Sequence, residues 1–250
     1  MEPLVAQLAA PALRVPILAY HGIGTAPPAT THRGLYLAPE KFRRQLRVLA
    51  AHGYRGVSMS EGFAHLLGER SDKVAILTFD DGYADNLDAA APLLREHGFG
   101  ATCYLVADRI GGFNAWDSEL LGVRKPLMGL DGIRDWIAMG MAVGSHTRTH
   151  PRLTRLSRAQ MREEVVGSKA ALEDRLGIPI DHFCYPYGDY DEACVDAVRE
   201  AGYVTAVTVD RGRVRRGDRL AALPRVGNSG KRSQRVFEAR TLWWSLAQQA

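Results

Sequence analysis

The feature that most restricts what this 250-residue chain can fold into is an alternation of short apolar runs with segments of helical periodicity. The runs predict strands over residues 15–20, 74–79, 101–106, 141–145, 182–185 and 203–209. Helical patterns fall between most of them. Pro39 suits a first helical position, Phe42, Leu46 and Leu49 repeat at helical spacing, and Gly53 stands where a C-terminal cap belongs. A second helix is predicted over 86–97, with Leu87, Ala91 and Leu94 on one face. A third covers 157–176, opened by a capping box of Ser157 and Gln160, closed by Gly177, with Met161, Val165, Leu172 and Leu176 sharing a face. A fourth is expected over 191–200. Strands that alternate with helices pair in parallel through right-handed crossovers, either as an open sheet or as a closed barrel.

Residues able to do chemistry favour the barrel. His21, Asp80, Asp81, His146 and Tyr187 lie just beyond the C-terminal ends of predicted strands, where barrel folds gather catalytic groups. The stretch 108–128 has no strong periodicity and reads as a long loop at the cleft, with Gly111, Gly112 and Asn114 as turn residues. No linker rich in Ser, Gly or Pro divides the chain, so residues 1–250 are expected to form one α/β domain.

Two segments, Thr78-Phe79-Asp80-Asp81-Gly82 and His146-Thr147-Arg148-Thr149-His150, together supply one metal site and a spare carboxylate. Two histidines four apart can face one cation, an aspartate can complete the set, and three protein ligands keep a position for water. Adjacent carboxylates cannot easily share one coordination position, so Asp81 is read as the ligand and Asp80 as the group free to take a proton from water. Taken alone, Asp-Asp-Gly after a strand is often a turn, and a histidine pair can cap a helix or face solvent. Their combination with Tyr185-Pro186-Tyr187-Gly188 at a later strand end is what points to a site.

These three segments resemble the first three motifs of the polysaccharide deacetylase family, the NodB-homology carbohydrate esterases, over about residues 15–210. The resemblance implies a distorted (β/α) barrel of about seven parallel strands, with 211–250 a basic, tryptophan-containing extension. It also implies Asp80 as general base, Asp81, His146 and His150 as ligands of one divalent metal, and Tyr185, Pro186 and Tyr187 along the substrate groove. Usual members carry their general-acid histidine in a Leu-x-His strand near the C-terminal end of the domain. Here the last histidine is His182, and an apolar strand that runs into a histidine stands instead at Ile17-Leu18-Ala19-Tyr20-His21, as in circularly permuted members resembling poly-N-acetylglucosamine deacetylases. His21 is therefore the candidate acid. Many members also have an arginine where this chain has Cys184, so either another basic residue reaches Asp80 or the base is held differently.

The implied chemistry is hydrolysis of an N-acetyl group on an amino sugar, with the backbone N–H of Tyr187 at the oxyanion. Zinc suits the ligand set, and cobalt, manganese or iron are compatible with it. Trp116 is a candidate platform for a sugar ring. A non-haem iron oxygenase uses the same ligand types but leaves Asp80 and His21 unexplained. The same residues would also suit a glycan-binding protein without catalysis, or an amidase acting on a non-sugar C–N bond.

Three cysteines, Cys103, Cys184 and Cys194, do not suggest a disulfide framework and are read as small buried residues. With no basic residue before Arg14 and no apolar run of spanning length, a cytoplasmic protein is expected. His32, His52, His65, His97 and His182 lack a partner pattern and read as structural or exposed. Arg211, Arg213, Arg215, Arg216, Arg219, Arg225, Lys231, Arg232, Arg235 and Arg240 crowd the end of the chain. They are read as a solvated basic face or, if functional, as a surface for acidic glycan or lipid headgroups; no nucleic-acid motif accompanies them. Val236, Phe237, Leu242, Trp243, Trp244 and Leu246 need cover, from the barrel, a partner subunit or a membrane surface.

Overall fold

The computed structural model describes residues 15–28, 30–228 and 233–246. Lys231, Arg232 and the N-terminal stretch on which the cytoplasmic expectation rests lie outside them. The strands are β1 (Ile17–Tyr20), β2 (Gly22–Ile23), β3 (Tyr36–Leu37), β4 (Arg55–Val57), β5 (Val74–Phe79), β6 (Thr102–Leu105), β7 (Ala142–Ser145), β8 (His182–Cys184), β9 (Thr205–Arg211) and β10 (Leu223–Gly227). The α-helices are α1 (Pro39–Ala51), α2 (Met59–Leu66), α3 (Ala91–Glu96), α4 (Ser118–Leu121), α5 (Leu130–Ala138), α6 (Arg158–Leu176), α7 (Glu192–Glu200) and α8 (Gln234–Leu246).

Seven strands close a parallel ring in the order β1-β10-β9-β8-β7-β6-β5, sealed by pairing of β1 with β5. The eighth, β4, shares an edge of β5 with β6: it pairs along Val74 to Ile76, while β6 pairs at Thr78 and Phe79. All six residues of β5 are buried, as befits a strand flanked on both sides and covered by helices. The short β2 and β3 form a separate two-stranded sheet.

The predicted helices are present, and their ends explain why. Ser157 and Gln160 form the capping box of α6, which Gly177 ends in a left-handed conformation. Asp191 caps α7 through the Cys194 N–H. Pro92 lacks the N–H that would close a regular turn onto Asp88, and the segment 86–97 opens with a π-turn, Asn86–Ala90, before α3.

Strand alternation then sorts outward from inward. Tyr20 and Phe79 point to the helix layer, where their rings meet Phe42 of α1, and Phe79 also meets Trp136 of α5. Their neighbours Thr78 and Asp80 face the barrel interior, where both contact Arg225.

Two expectations change. The ring extends past residue 210, because β10 pairs with both β9 and β1. Its Leu-Pro-Arg-Val-Gly sequence hides a strand behind a proline, a charge and a glycine. Arg225 is consequently no part of a solvated basic face: it is 2% exposed. Cys103, Cys184 and Cys194 are free and buried, and no described helix is long and apolar enough to cross a membrane.

Candidate active site

The C-terminal ends of the strands enclose a cavity of about 360 Å³ lined by His21, Asp80, Asp81, Trp116, Asp117, His146, His150, Tyr185 and Tyr187, among others. Among the described residues, the four non-glycine positions with positive φ are Asp81 (76°), Thr147 (67°), His150 (68°) and Tyr187 (59°). Such backbone costs roughly 1–2 kcal/mol per residue and persists only where surroundings enforce it. Asp81-Gly82 and Tyr187-Gly188 are consecutive left-handed pairs that turn the chain sharply off β5 and β8. A Cβ on Gly188 would sit 2.2 Å from Val209 Cγ2, so glycine is also demanded by space.

The 146–150 segment is a loop, secured from α6 by a residue that local pattern reading overlooks. Glu164 Oε2 accepts the N–H groups of Arg148 and Thr149, each at 2.9 Å, and its other oxygen takes the Thr149 hydroxyl at 2.6 Å. Thr147 Oγ1 accepts the His150 N–H. So held, His146 Nε2 lies 3.6 Å and His150 Nε2 3.4 Å from Asp81 Oδ1. His146 Nδ1 donates to Cys184 O at 2.7 Å, which leaves Nε2 with its lone pair toward Asp81. Burial, then His150, push the His146 pKa down to about 4, so the ring is neutral near pH 7. Burial works against ionisation of Asp81, but the nearby imidazoles of His150, His21 and His146 outweigh it and keep the carboxyl well below its usual range. An ionised carboxylate and a neutral imidazole are the ligand forms a divalent cation takes, and the donor atoms of Asp81, His146 and His150 all lie within 4.8 Å of one another. Asp80, His146 and Cys184 are also that close, but burial keeps the Cys184 thiol protonated and Arg225 already occupies the Asp80 carboxylate and the sulfur.

Arg225 resolves the question posed by Cys184. From β10 it forks onto Asp80, Nη1 to Oδ1 and Nη2 to Oδ2, both at 2.7 Å. Nε donates to Thr208 O, Nη1 also to Thr78 Oγ1, and Nη2 to Cys184 Sγ at 3.3 Å. Burial would raise the Asp80 pKa; the guanidinium and its hydrogen bonds overcome this, aided by His21 and His146, and hold it below normal. His21 stands over the same carboxylate, Nε2 to Asp80 Oδ2 3.8 Å, with its side chain 31% exposed at the mouth.

The aromatic expectations separate. Trp116 stacks on His150 at 4.6 Å between centroids, and Tyr187 meets the same imidazole edge-on at 4.6 Å. Tyr185 is buried with its hydroxyl spent on Ala221 O. Pro186 is buried and is not among the residues that line the cavity. The 108–128 loop does border the site, knotted by the Asn114 side chain, which bonds Asp117, Val123 O and the Lys125 N–H. Residues that patterning missed are Asp117, whose pKa is raised by burial and then by Asp81, and Arg152, whose guanidinium lies 4.3 Å from the Tyr187 ring centre. His32 is an exposed residue on the rim.

With this geometry in place, the comparisons agree. The sequence profile of the polysaccharide deacetylase family matches residues 67–206, more than half of the chain, and this chain belongs to that family. YxkH of Bacillus subtilis (strain 168), whose provisional name is polysaccharide deacetylase, is 28% identical over 228 residues, covering 90% of this chain and 75% of that one. The structure of the Streptococcus pyogenes deacetylase PplD in complex with acetate matches with a TM-score of 0.76 at 25% identity, over 88% of this chain and 95% of that one. IcaB from Ammonifex degensii shares the fold, with a TM-score of 0.76 at 21% identity over 96% of this chain and all of that one.

Proposed function

We propose that this chain is a metal-dependent hydrolase that removes N-acetyl groups from an amino-sugar-containing poly- or oligosaccharide, in exopolysaccharide or other glycan biosynthesis. The observation that carries the reading is the different tenancy of two adjacent acids: Asp81 converges with two imidazoles, whereas Asp80 is locked as a carboxylate by Arg225. A divalent cation held by Asp81, His146 and His150, zinc by preference, would supply Lewis-acid activation of an acyl oxygen and of water. Asp80, kept ionised, accepts the proton of the attacking water. His21, on the open side of Asp80, donates a proton to the departing amine nitrogen. The Tyr187 N–H donates to the oxyanion as charge develops there. Trp116 and Tyr187 present ring faces and edges to the saccharide.

The PplD structure holds acetate, the acid that removal of an acetyl group releases, which supports acetyl removal here. The reading as a non-catalytic glycan binder loses its motive, because the guanidinium absent at Cys184 reaches Asp80 from Arg225. An oxygenase would leave that pair without a task. The test is acetate release from a panel of N- and O-acetylated saccharides with zinc, in air and without oxygen. Release from N-acetylated members, indifferent to oxygen, is expected; no acetate from any of them, or a need for oxygen, sinks the proposal.

A further inference from the structure

Helix α8 is apolar on two faces. Phe237, Thr241, Trp244 and Ser245 are buried against the barrel side, where Ser245 Oγ donates to His52 O and accepts from Lys73 Nζ. On the opposite side Val236, Leu242, Trp243 and Leu246 are 45%, 48%, 57% and 57% exposed. At helical spacing these four share one arc about 120° wide, which the exposed Arg235 joins at the N-terminal end of the helix. An exposed apolar stripe of this kind marks a contact surface.

Both flanks of the stripe are cationic. A cavity of about 260 Å³ on one side is lined by Arg211, Arg213, Arg215 and Arg240 together with Trp243 and Trp244, and among the described residues no carboxylate lines it. The Arg213 guanidinium lies 4.6 Å from the Trp243 ring centre. On the other side, the cleft against α1 carries Arg47 and Arg235 with a single acid, Glu238.

We propose that α8 is a peripheral membrane anchor whose outer face lies in the surface of an anionic phospholipid bilayer. Val236, Leu242 and Leu246 enter the boundary between headgroups and acyl chains, the Trp243 indole sits at the interface, and the exposed Arg47, Arg211, Arg215 and Arg235 meet lipid phosphates, while Arg213 is buried behind Trp243. A second copy of this chain fits less well, because a two-fold contact sets a patch against itself and would oppose arginine with arginine. A soluble acidic glycan would match the arginines and leave the leucines uncovered. The basic cavity shares Arg211 and Gly227 with the cavity beside His21, so the anchored flank borders the catalytic mouth.

The test is flotation of the full chain with vesicles of phosphatidylcholine alone and of phosphatidylcholine mixed with phosphatidylglycerol. Partition at least about thirtyfold stronger onto the anionic vesicles is expected, weakening in high salt. Trp243→Glu should abolish it without altering the thermal melt. Should Trp243→Glu fail to fold, the Arg215→Ala, Arg235→Ala pair keeps the test alive: at about fivefold per arginine, it should lose roughly twenty-fivefold on anionic vesicles and nothing on neutral ones. Folded protein that ignores both vesicle types, binds them equally, or forms a Trp243-dependent dimer in their place would overturn the proposal.

Discussion

His146 and His182 sit near opposite ends of the barrel wall, and both are buried, with pKa values pushed down to about 4 chiefly by that burial. At the start of β8, His182 has spent both ring nitrogens, one on Ser60 Oγ at 3.0 Å and one on Thr205 Oγ1 at 2.9 Å. Just beyond the end of β7, His146 has spent one on Cys184 O and turned the other toward Asp81. Burial and a displaced pKa are therefore common to a histidine whose two nitrogens are both spent and to one that faces the cavity. What separates them is an unspent lone pair, aimed at a carboxylate in a place where the backbone is held in a costly conformation.

The largest effect that would break this contrast concerns the two imidazoles themselves. His146→Ala should abolish metal retention and acetate release together, whereas His182→Ala should leave turnover per folded molecule unchanged and cost about 1–3 kcal/mol of stability through stranded hydroxyls. Equal losses of activity in both variants would erase the distinction. Metal analysis, acetate assay and urea denaturation read all three quantities.

Next comes the buried pair. Arg225→Ala leaves Asp80 buried without its counter-ion, a loss of about 3–5 kcal/mol by analogy with other broken buried pairs. Asp80 now has a folded pKa below its unfolded value, so its contribution to stability is present above about pH 4 and lost as pH falls through the folded value. Without the guanidinium, burial dominates and the sign reverses. The acid limb of the pH–rate profile should then move toward neutrality, with Arg225→Lys intermediate because an ammonium cannot fork. An unmoved limb would mean that Arg225 does not set the state of the base.

Acid stability sharpens the comparison from the structural side. The folded pKa of His182, about 4, lies below its unfolded value of about 6.5, so the unfolded chain takes up the proton first as pH falls. The neutral-ring contribution, whole above about pH 6.5, is lost on the way to pH 4 and amounts to about 3 kcal/mol. His146 adds a slope of the same sign while no metal is bound. His182→Gln should remove only its own share, read from denaturation midpoints across that window; an unchanged slope would contradict its buried neutral state.

The smallest effect tests strain. At the positive φ of Tyr187 the usual order of alanine over glycine should invert, with Tyr187→Gly more stable than Tyr187→Ala by about 1 kcal/mol in urea melts. The ordinary order would mean that the site carries no backbone strain there.

Much of this was legible in the residues because it is local. Six apolar runs marked barrel strands, and Ser157 with Gln160 marked the start of α6. The Asp-Asp and His-x-x-x-His spacings identified side chains that do converge. What stayed hidden depends on partners remote in sequence. Arg225 looks like one more basic residue in a basic tail until β10 sets it against Asp80, 145 positions away. Glu164 is an ordinary polar residue of α6 until the 146–150 loop lays two N–H groups on it. Asp117 and Arg152 lie outside the regular elements, where no periodicity reports a direction.

The most direct test of the central claim is metal content and acetate release measured together on Asp80→Asn, which keeps the shape of the side chain while removing its ability to accept a proton. The account predicts about one equivalent of metal retained, with turnover lowered by roughly 10²- to 10⁴-fold. Loss of the metal along with activity, or turnover equal to the unaltered protein, would contradict it.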